Sequence, residues 1–149
     1  MNIYSVIFVS VLLNYCTTSK VVFTNKELEK EVNLYVADLA DLKEEYLNIP
    51  YVVLTSIKMG DSLIFSLGNS YPELEKVKVF AKHQGFYFCF GPEYPMDEYY
   101  EVINPEPAPD ELKKKYEEIK KGFPKYEPPR KLVVFYKGKL ISSVSSYKE

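Results

Sequence analysis

Residues 50–90 read PYVVLTSIKMGDSLIFSLGNSYPELEKVKVFAKHQGFYFCF. Four short runs rich in Val, Ile, Leu, Phe and Tyr are separated by Met59-Gly60-Asp61, by Gly68-Asn69-Ser70-Tyr71-Pro72 and by His83-Gln84-Gly85, which is the punctuation of consecutive antiparallel strands. The spacing predicts a four-stranded meander. Side chains alternate across a strand, so Leu63, Phe65 and Leu67 share one face, as do Val77, Val79 and Ala81 and, in the fourth run, Phe86, Phe88 and Phe90. Such an apolar stripe has to be covered by another layer. Gly60, Asn69 and Gly85 are expected where the backbone turns through positive φ.

Upstream, residues 23–50 read FTNKELEKEVNLYVADLADLKEEYLNIP and supply a cover. Thr24 with Glu27 three positions on forms a capping box, and Phe23 with Leu28 a hydrophobic staple. Leu28, Val32, Tyr35, Leu39, Leu42 and Tyr46 then recur on one stripe, predicting a helix of about six turns that stops before Pro50. At the other end, residues 131–146 (KLVVFYKGKLISSVSS) read as a hairpin. Its first strand alternates Leu132, Val134 and Tyr136 with Val133 and Phe135 and should be central, whereas its serine-rich second strand should be an edge.

Eight of the ten prolines lie between positions 92 and 129, so this stretch is expected to wrap the surface around one short helix. Pro109, Asp110 and Glu111 mark its start, Lys120, Lys121, Gly122 and Pro124 its end, and Leu112, Tyr116, Ile119 and Phe123 its apolar stripe. The expected fold is therefore α+β. An antiparallel sheet of five to seven strands, built from the meander plus the C-terminal hairpin, carries one long and one short helix packed on one face.

In residues 1–20 (MNIYSVIFVSVLLNYCTTSK) the run 3–15 carries no charge. It is too short for a bilayer span, which needs about 20 residues, and it suits the apolar region of a signal peptide with a cut near Ser19. Leu13-Asn14-Tyr15-Cys16 followed by Thr-Thr-Ser resembles the lipobox of bacterial lipoproteins, with Leu13 three positions before the cysteine and Tyr15 where a small residue is usual. The resemblance implies that Cys16 is lipidated and becomes the new N-terminus. A third reading makes residues 4–13 a buried element of the domain. Residues 1–19 are read as a leader and 20–149 as one domain. Export to the periplasm, the outer surface or the medium follows, or a cytoplasmic protein if the leader stays uncleaved.

The chain of 149 residues suits a single core that needs no metal or disulfide, and with only Cys16 and Cys89 no disulfide framework is expected. Nineteen basic against 21 acidic residues leave no field that would select nucleic acid, so a membrane enters only through an N-terminal lipid. No nucleotide loop, metal ligand set or catalytic signature is present, and no cofactor, metal or catalytic residue is assigned. His83 is read as an exposed turn residue, and Cys89 as a small apolar one.

Residues 93–101 combine Glu93, Asp97, Glu98 and Glu101 with Tyr94, Tyr99 and Tyr100 on a proline-stiffened loop. Stiffness lowers the entropy lost on binding, so Glu93, Tyr94, Asp97, Glu98, Tyr99 and Tyr100 are the candidate recognition residues. The same loop would also serve to close an end of the sheet, with Tyr99 and Val102 tucked in and the acids in water. The expected function is a non-catalytic binding domain whose partner is another protein that it neutralises or assists. The alternative is a small hydrolase or transferase whose carboxylates and tyrosines converge only on folding.

Overall fold

The structure is a computed structural model and describes residues 18–42, 49–77, 79–119, 121 and 127–148. In chain order lie β1 (Lys20–Phe23), α1 (Lys26–Asp41), β2 (Tyr51–Met59), β3 (Ser62–Gly68), β4 (Val79–His83), β5 (Phe86–Phe90), β6 (Tyr100–Ile103), α2 (Asp110–Ile119), β7 (Arg130–Tyr136) and β8 (Lys139–Ser145). The fold is α+β: β1 and β6 form a two-stranded ribbon, and the other six strands form a sheet that is antiparallel except at one pair.

The strands of the expected meander are present, but their pairing differs. β2–β3 and β4–β5 are tight hairpins, with positive φ at Gly60 in the first and at Gln84 and Gly85 in the second. β3 does not go on to β4. It pairs instead with β7, Phe65 opposite Val133, while β5 lies parallel to β2 with Val52 opposite Phe88, giving the order β4-β5-β2-β3-β7-β8. Parallel neighbours need a long crossover, and β3 with the segment after it provides one. That segment is anchored by Asn69, whose buried Nδ2 donates to the carbonyls of Ile49 (2.8 Å) and Tyr51 (2.9 Å). Asn69 is therefore a side-chain staple and not a positive-φ turn residue.

The inner face of the sheet holds Val52, Leu54, Phe65, Leu67, Ala81, Phe88, Phe90, Val133 and Phe135, all buried. Leu63, Val79 and Phe86 pack against the same cluster, so the phenylalanine stripe read from the sequence is one face. The cover comes in two parts. α1 buries Leu28, Val32, Tyr35, Val36 and Leu39, its aliphatic members contributing about 1.5–3 kcal/mol each. The ribbon adds Val21, Phe23, Tyr100 and Val102. The helix starts one residue later than the capping box implies: Asn25 is the N-cap, its side chain accepting from Leu28 N–H at 2.9 Å. Tyr46 and the expected last turn lie outside the described residues.

The second correction concerns α2. Its Leu112 is buried with Ile49, Tyr51, Val77, Phe80 and Cys89, a cluster on the opposite face of the sheet from α1. The strands β4, β5 and the start of β2 are apolar on both sides, so their outer side needs its own cover, and the helices take one face each. Val77 belongs to this outer cluster and not to the inner stripe. β7 is flanked on both edges and β8 is the edge strand, yet Leu132 and Tyr136 of β7 remain exposed on the outer face. Phe123, Lys120, Gly122 and Pro124 lie outside the described residues.

A buried ion pair pins α1 to the sheet. Lys131, on the inner side of β7, places Nζ 2.7 Å from Glu31 Oε2 and donates to the Glu31 carbonyl at 3.2 Å, while Ser143 Oγ donates to the same carboxylate at 2.6 Å. Burial alone would raise the Glu31 pKa, but the hydrogen bonds from Lys131 and Ser143 and the Lys131 charge outweigh it and hold the group below its ordinary value. Removing one partner strands a buried charge, so Lys131→Ala is expected to cost about 3 kcal/mol in urea denaturation. Lys26→Ala, at a solvent-exposed pair with Glu29, should cost under about 1 kcal/mol. The double variant Lys131→Met/Glu31→Leu should recover most of the loss, and equal effects of the two single variants would contradict the assignment.

Candidate binding cleft

Residues 91–99 leave β5 and cross the inner face at the tip end of the sheet. Gly91 N–H donates to the Leu54 carbonyl at 3.3 Å, extending the β2–β5 ladder by one bond, and a Cβ at Gly91 would stand 3.2 Å from Thr55 Cγ2 and 2.8 Å from Glu93 Oε2. A side chain here would crowd Thr55 and displace the Glu93 carboxylate, so glycine suits the point at which the loop leaves β2. The chain then folds back on itself, with Tyr99 and Tyr100 N–H both donating to the Met96 carbonyl at 2.9 Å. Ser56, buried on β2, donates its hydroxyl to Met96 Sδ at 3.0 Å.

The three tyrosines hold the loop down and do not display it. Tyr99 packs its ring against Phe65 and Phe135, with centroids at 5.0 and 5.2 Å, and Tyr100 lies 4.9 Å from Phe90. Tyr94 lies between solvent and core, stacked over Tyr100 at 6.4 Å and tilted against Phe90 at 5.9 Å. Burial pushes the Tyr100 phenol well above its ordinary pKa, so it stays neutral. A second clamp comes from the entry to α1. Thr24 Oγ1 donates to the Asp97 carbonyl at 2.8 Å, and the N–H groups of Thr24 and Asn25 both reach the Tyr99 carbonyl at 3.0 and 3.1 Å. Thr24 thus serves the loop, which is why the capping role passes to Asn25.

With the aromatic rings turned inward, the acids turn outward. Glu93, Asp97 and Glu98 are exposed and line a cleft of about 650 Å³ together with Pro95, Met96 and Tyr99. Its opposite wall is formed by the hairpin tips: Ser56, Lys58, Gly60, Asp61, Ser62 and Leu63 from β2 and β3, and Lys137 and Gly138 from the β7–β8 turn. The tips are joined by Lys137 N–H donating to the Asp61 carbonyl at 2.9 Å, with Lys137 Nζ 3.9 Å from Asp61 Oδ2. Glu93, Asp97 and Glu98 face Lys58, Asp61 and Lys137 across this space, so the lining is net acidic, with Leu63, Met96 and Tyr99 as its apolar part. Among the described residues no group of three or more His, Cys, Asp or Glu could hold a metal ion.

Of the six candidate recognition residues, the structure brings Glu93, Asp97, Glu98 and Tyr99 to the cleft, while Tyr94 and Tyr100 lie among the aromatic rings beneath the loop. Val102, like Tyr99, is buried. The hairpin-tip residues Lys58, Asp61 and Lys137 are functional candidates that the sequence does not single out, because they meet the loop only through the sheet order. Cys16 lies outside the described residues. Cys89 is fully buried, and burial raises its thiol pKa far above ordinary, which makes it inert packing.

His83 is not the exposed turn residue expected from its position. It is half-buried on the inner face, its ring edge-on to Phe23 and Phe88 at 5.2 Å, with Nε2 3.1 Å from Asn33 Oδ1 of α1. Since that oxygen only accepts, Nε2 is the donor in this bond. The same oxygen accepts from Gln84 at 2.9 Å, so the β4–β5 turn is tied to the helix.

Compared with models of protein families, with curated proteins and with solved structures, the chain matches none.

The His83 environment generates a pH dependence. Burial lowers its pKa below the ordinary 6.5, with Glu29 opposing weakly. Between that lowered value and 6.5 the unfolded chain binds the proton more readily, so stability should fall as pH drops below about 6.5 and level off once the folded form also titrates. His83→Gln, which retains an N–H donor toward Asn33, should flatten this slope in thermal melts between about pH 7 and pH 5. An unchanged slope would show that another group controls it.

Proposed function

We propose that this protein is a small non-catalytic binding domain that engages another protein through the cleft between residues 93–99 and the hairpin tips. The observation that carries the reading is the division of labour in the loop: Tyr99 and Tyr100 are buried as anchors while Glu93, Asp97 and Glu98 stand exposed on the backbone they fix. A surface held in place before contact loses little entropy on binding. A net negative lining with an apolar part suits a segment that presents a Lys or Arg beside an apolar side chain. Neutralising or assisting that partner is the role put forward.

Export belongs to the same proposal. β1 begins at Lys20, directly after the expected leader, and Ser19 is already buried with its hydroxyl 3.5 Å from the Phe80 carbonyl. Removal of residues 1–19, or lipid attached at Cys16, leaves every element from β1 onward in the chain, the former giving up only the Ser19 hydrogen bond. Among the described residues no helix is long and apolar enough to cross a membrane. The second reading, a small hydrolase or transferase, draws on the convergence of Asp61, Glu93, Asp97 and Glu98 from separate segments onto one cleft.

Two measurements test these points. Glu93→Gln/Asp97→Asn/Glu98→Gln keeps shape and removes charge. A partner crosslinked by the native protein in its source cells should be recovered at least tenfold less with this variant, whose melting temperature should stay within a few degrees. Undiminished recovery would move the interface elsewhere. Intact-mass analysis of the native protein should show either a truncated N-terminus before residue 20 or a diacylglyceryl-type mass increment on Cys16, and an unprocessed chain would overturn export.

A further inference from the structure

The outer face of the sheet is only half covered. α2 and residues 71–77 lie over β4, β5 and the start of β2, whereas the half formed by the end of β2 with β3, β7 and β8 carries no layer among the described residues. There Ile57 and Met59 are 62% and 63% exposed, Ile141 and Val144 60% and 59%, and Leu132 and Tyr136 44% each. Strand register makes these one patch. Ile57 stands opposite Ile64, Ile64 opposite Val134, and Leu132 opposite Val144, while the bulge between Val134 and Phe135 adds Ile141. Ser62, Ser66 and Ser142 lie between them on the same face, and apolar residues gathered this closely across four strands call for an explanation that isolated ones do not.

We propose that this face is covered by a second copy of the same chain, two sheets packing face to face. The patch exposes on the order of 600 Å² of mainly apolar surface, the upper end of what ordinary monomers show. A two-fold pair would remove on the order of 1,200 Å², which reaches the lower bound of stable specific interfaces. Apolar against apolar is self-complementary, as an isologous contact requires. α2 fills the neighbouring half of the same face, so a two-fold axis running along the strands lays patch on patch and sends the two helices to opposite sides. Pairing through the free edge of β8 is the less open route. Glu27 of α1 caps part of that edge, its Oε2 accepting from Leu140 N–H at 3.2 Å. Arg130 and Lys139 stand on the outer side of β7 and β8, so each copy brings cations to the rim of the contact and association strengthens as salt screens them.

Sedimentation velocity of the full chain between about 1 and about 300 µM tests the proposal. A monomer–dimer equilibrium is expected that tightens with added salt and that Ile57→Lys and Val144→Lys each weaken tenfold or more. Both positions are exposed, so circular dichroism, and the melting temperature at concentrations where the chain is monomeric, should not change. Leu34→Lys, 45% exposed on α1, should leave the equilibrium as it is. A monomer throughout the range, a dimer indifferent to Ile57→Lys, or one equally sensitive to Leu34→Lys overturns it. So does a chain that stays monomeric yet binds vesicles containing phosphatidylglycerol through the same residues, binding that salt would weaken. None of these outcomes depends on the cleft carboxylates, so this interface and the proposed cleft stand or fall separately.

Discussion

The parallel pairing of β2 with β5 is the constraint on which the rest of the molecule depends. β2 has its hairpin partner β3 on one edge and β5 on the other, and its side chains alternate between two cores: Val52 and Leu54 point into the inner cluster, Tyr51 and Val53 into the outer one. A one-residue slip would exchange the two sets, so the register is set by burial on both sides at once. Asn69 reinforces it, since its amide reaches carbonyls at either side of Pro50 and holds the end of β3 to the start of β2.

From that pairing follows a roof of mixed construction. α1 lies toward β7 and β8, held by Glu31 with Lys131 and by Asp38, which accepts from Tyr147 at 2.9 Å and pairs with Lys148 at 2.8 Å. The β1–β6 ribbon and residues 91–99 cover the remainder, and the turn between β1 and α1 clips the two parts together through Thr24 and Asn25. The cleft is a consequence of this arrangement. The loop crosses the sheet because the inner face must be covered there, and its acids face the hairpin tips because the tyrosines between them are used as core.

Much of the architecture was legible in local pattern. Alternation identified the phenylalanine face, the stripe Leu28, Val32, Tyr35 and Leu39 identified α1, and turn residues located all three two-residue hairpins. β1 and β6 leave no local signal, since four residues each are too few to show a period. The pairing of β3 with β7 leaves none either, because partner choice between compatible apolar strands depends on the whole set and not on adjacent sequence. The side of the sheet taken by α2 carried no local signal. His83 looked like a turn residue because its burial comes from Asn33 and Phe23, both far away in the chain.

What the amino-acid sequence determined by itself was the inventory: an α+β chain, strands and turns over residues 50–90, a capped amphipathic helix before them, a short helix and an edge hairpin after, and an acidic, tyrosine-rich loop. These properties are local, set by side-chain alternation, turn geometry and capping within a few residues. Only the tertiary structure decided the sheet order, the opposite placement of the two helices, the inward turn of Tyr99 and Tyr100, and the meeting of Glu93, Asp97 and Glu98 with Lys58, Asp61 and Lys137. Each of those depends on which distant surfaces exclude water together, and that choice is made by the summed burial of the whole chain.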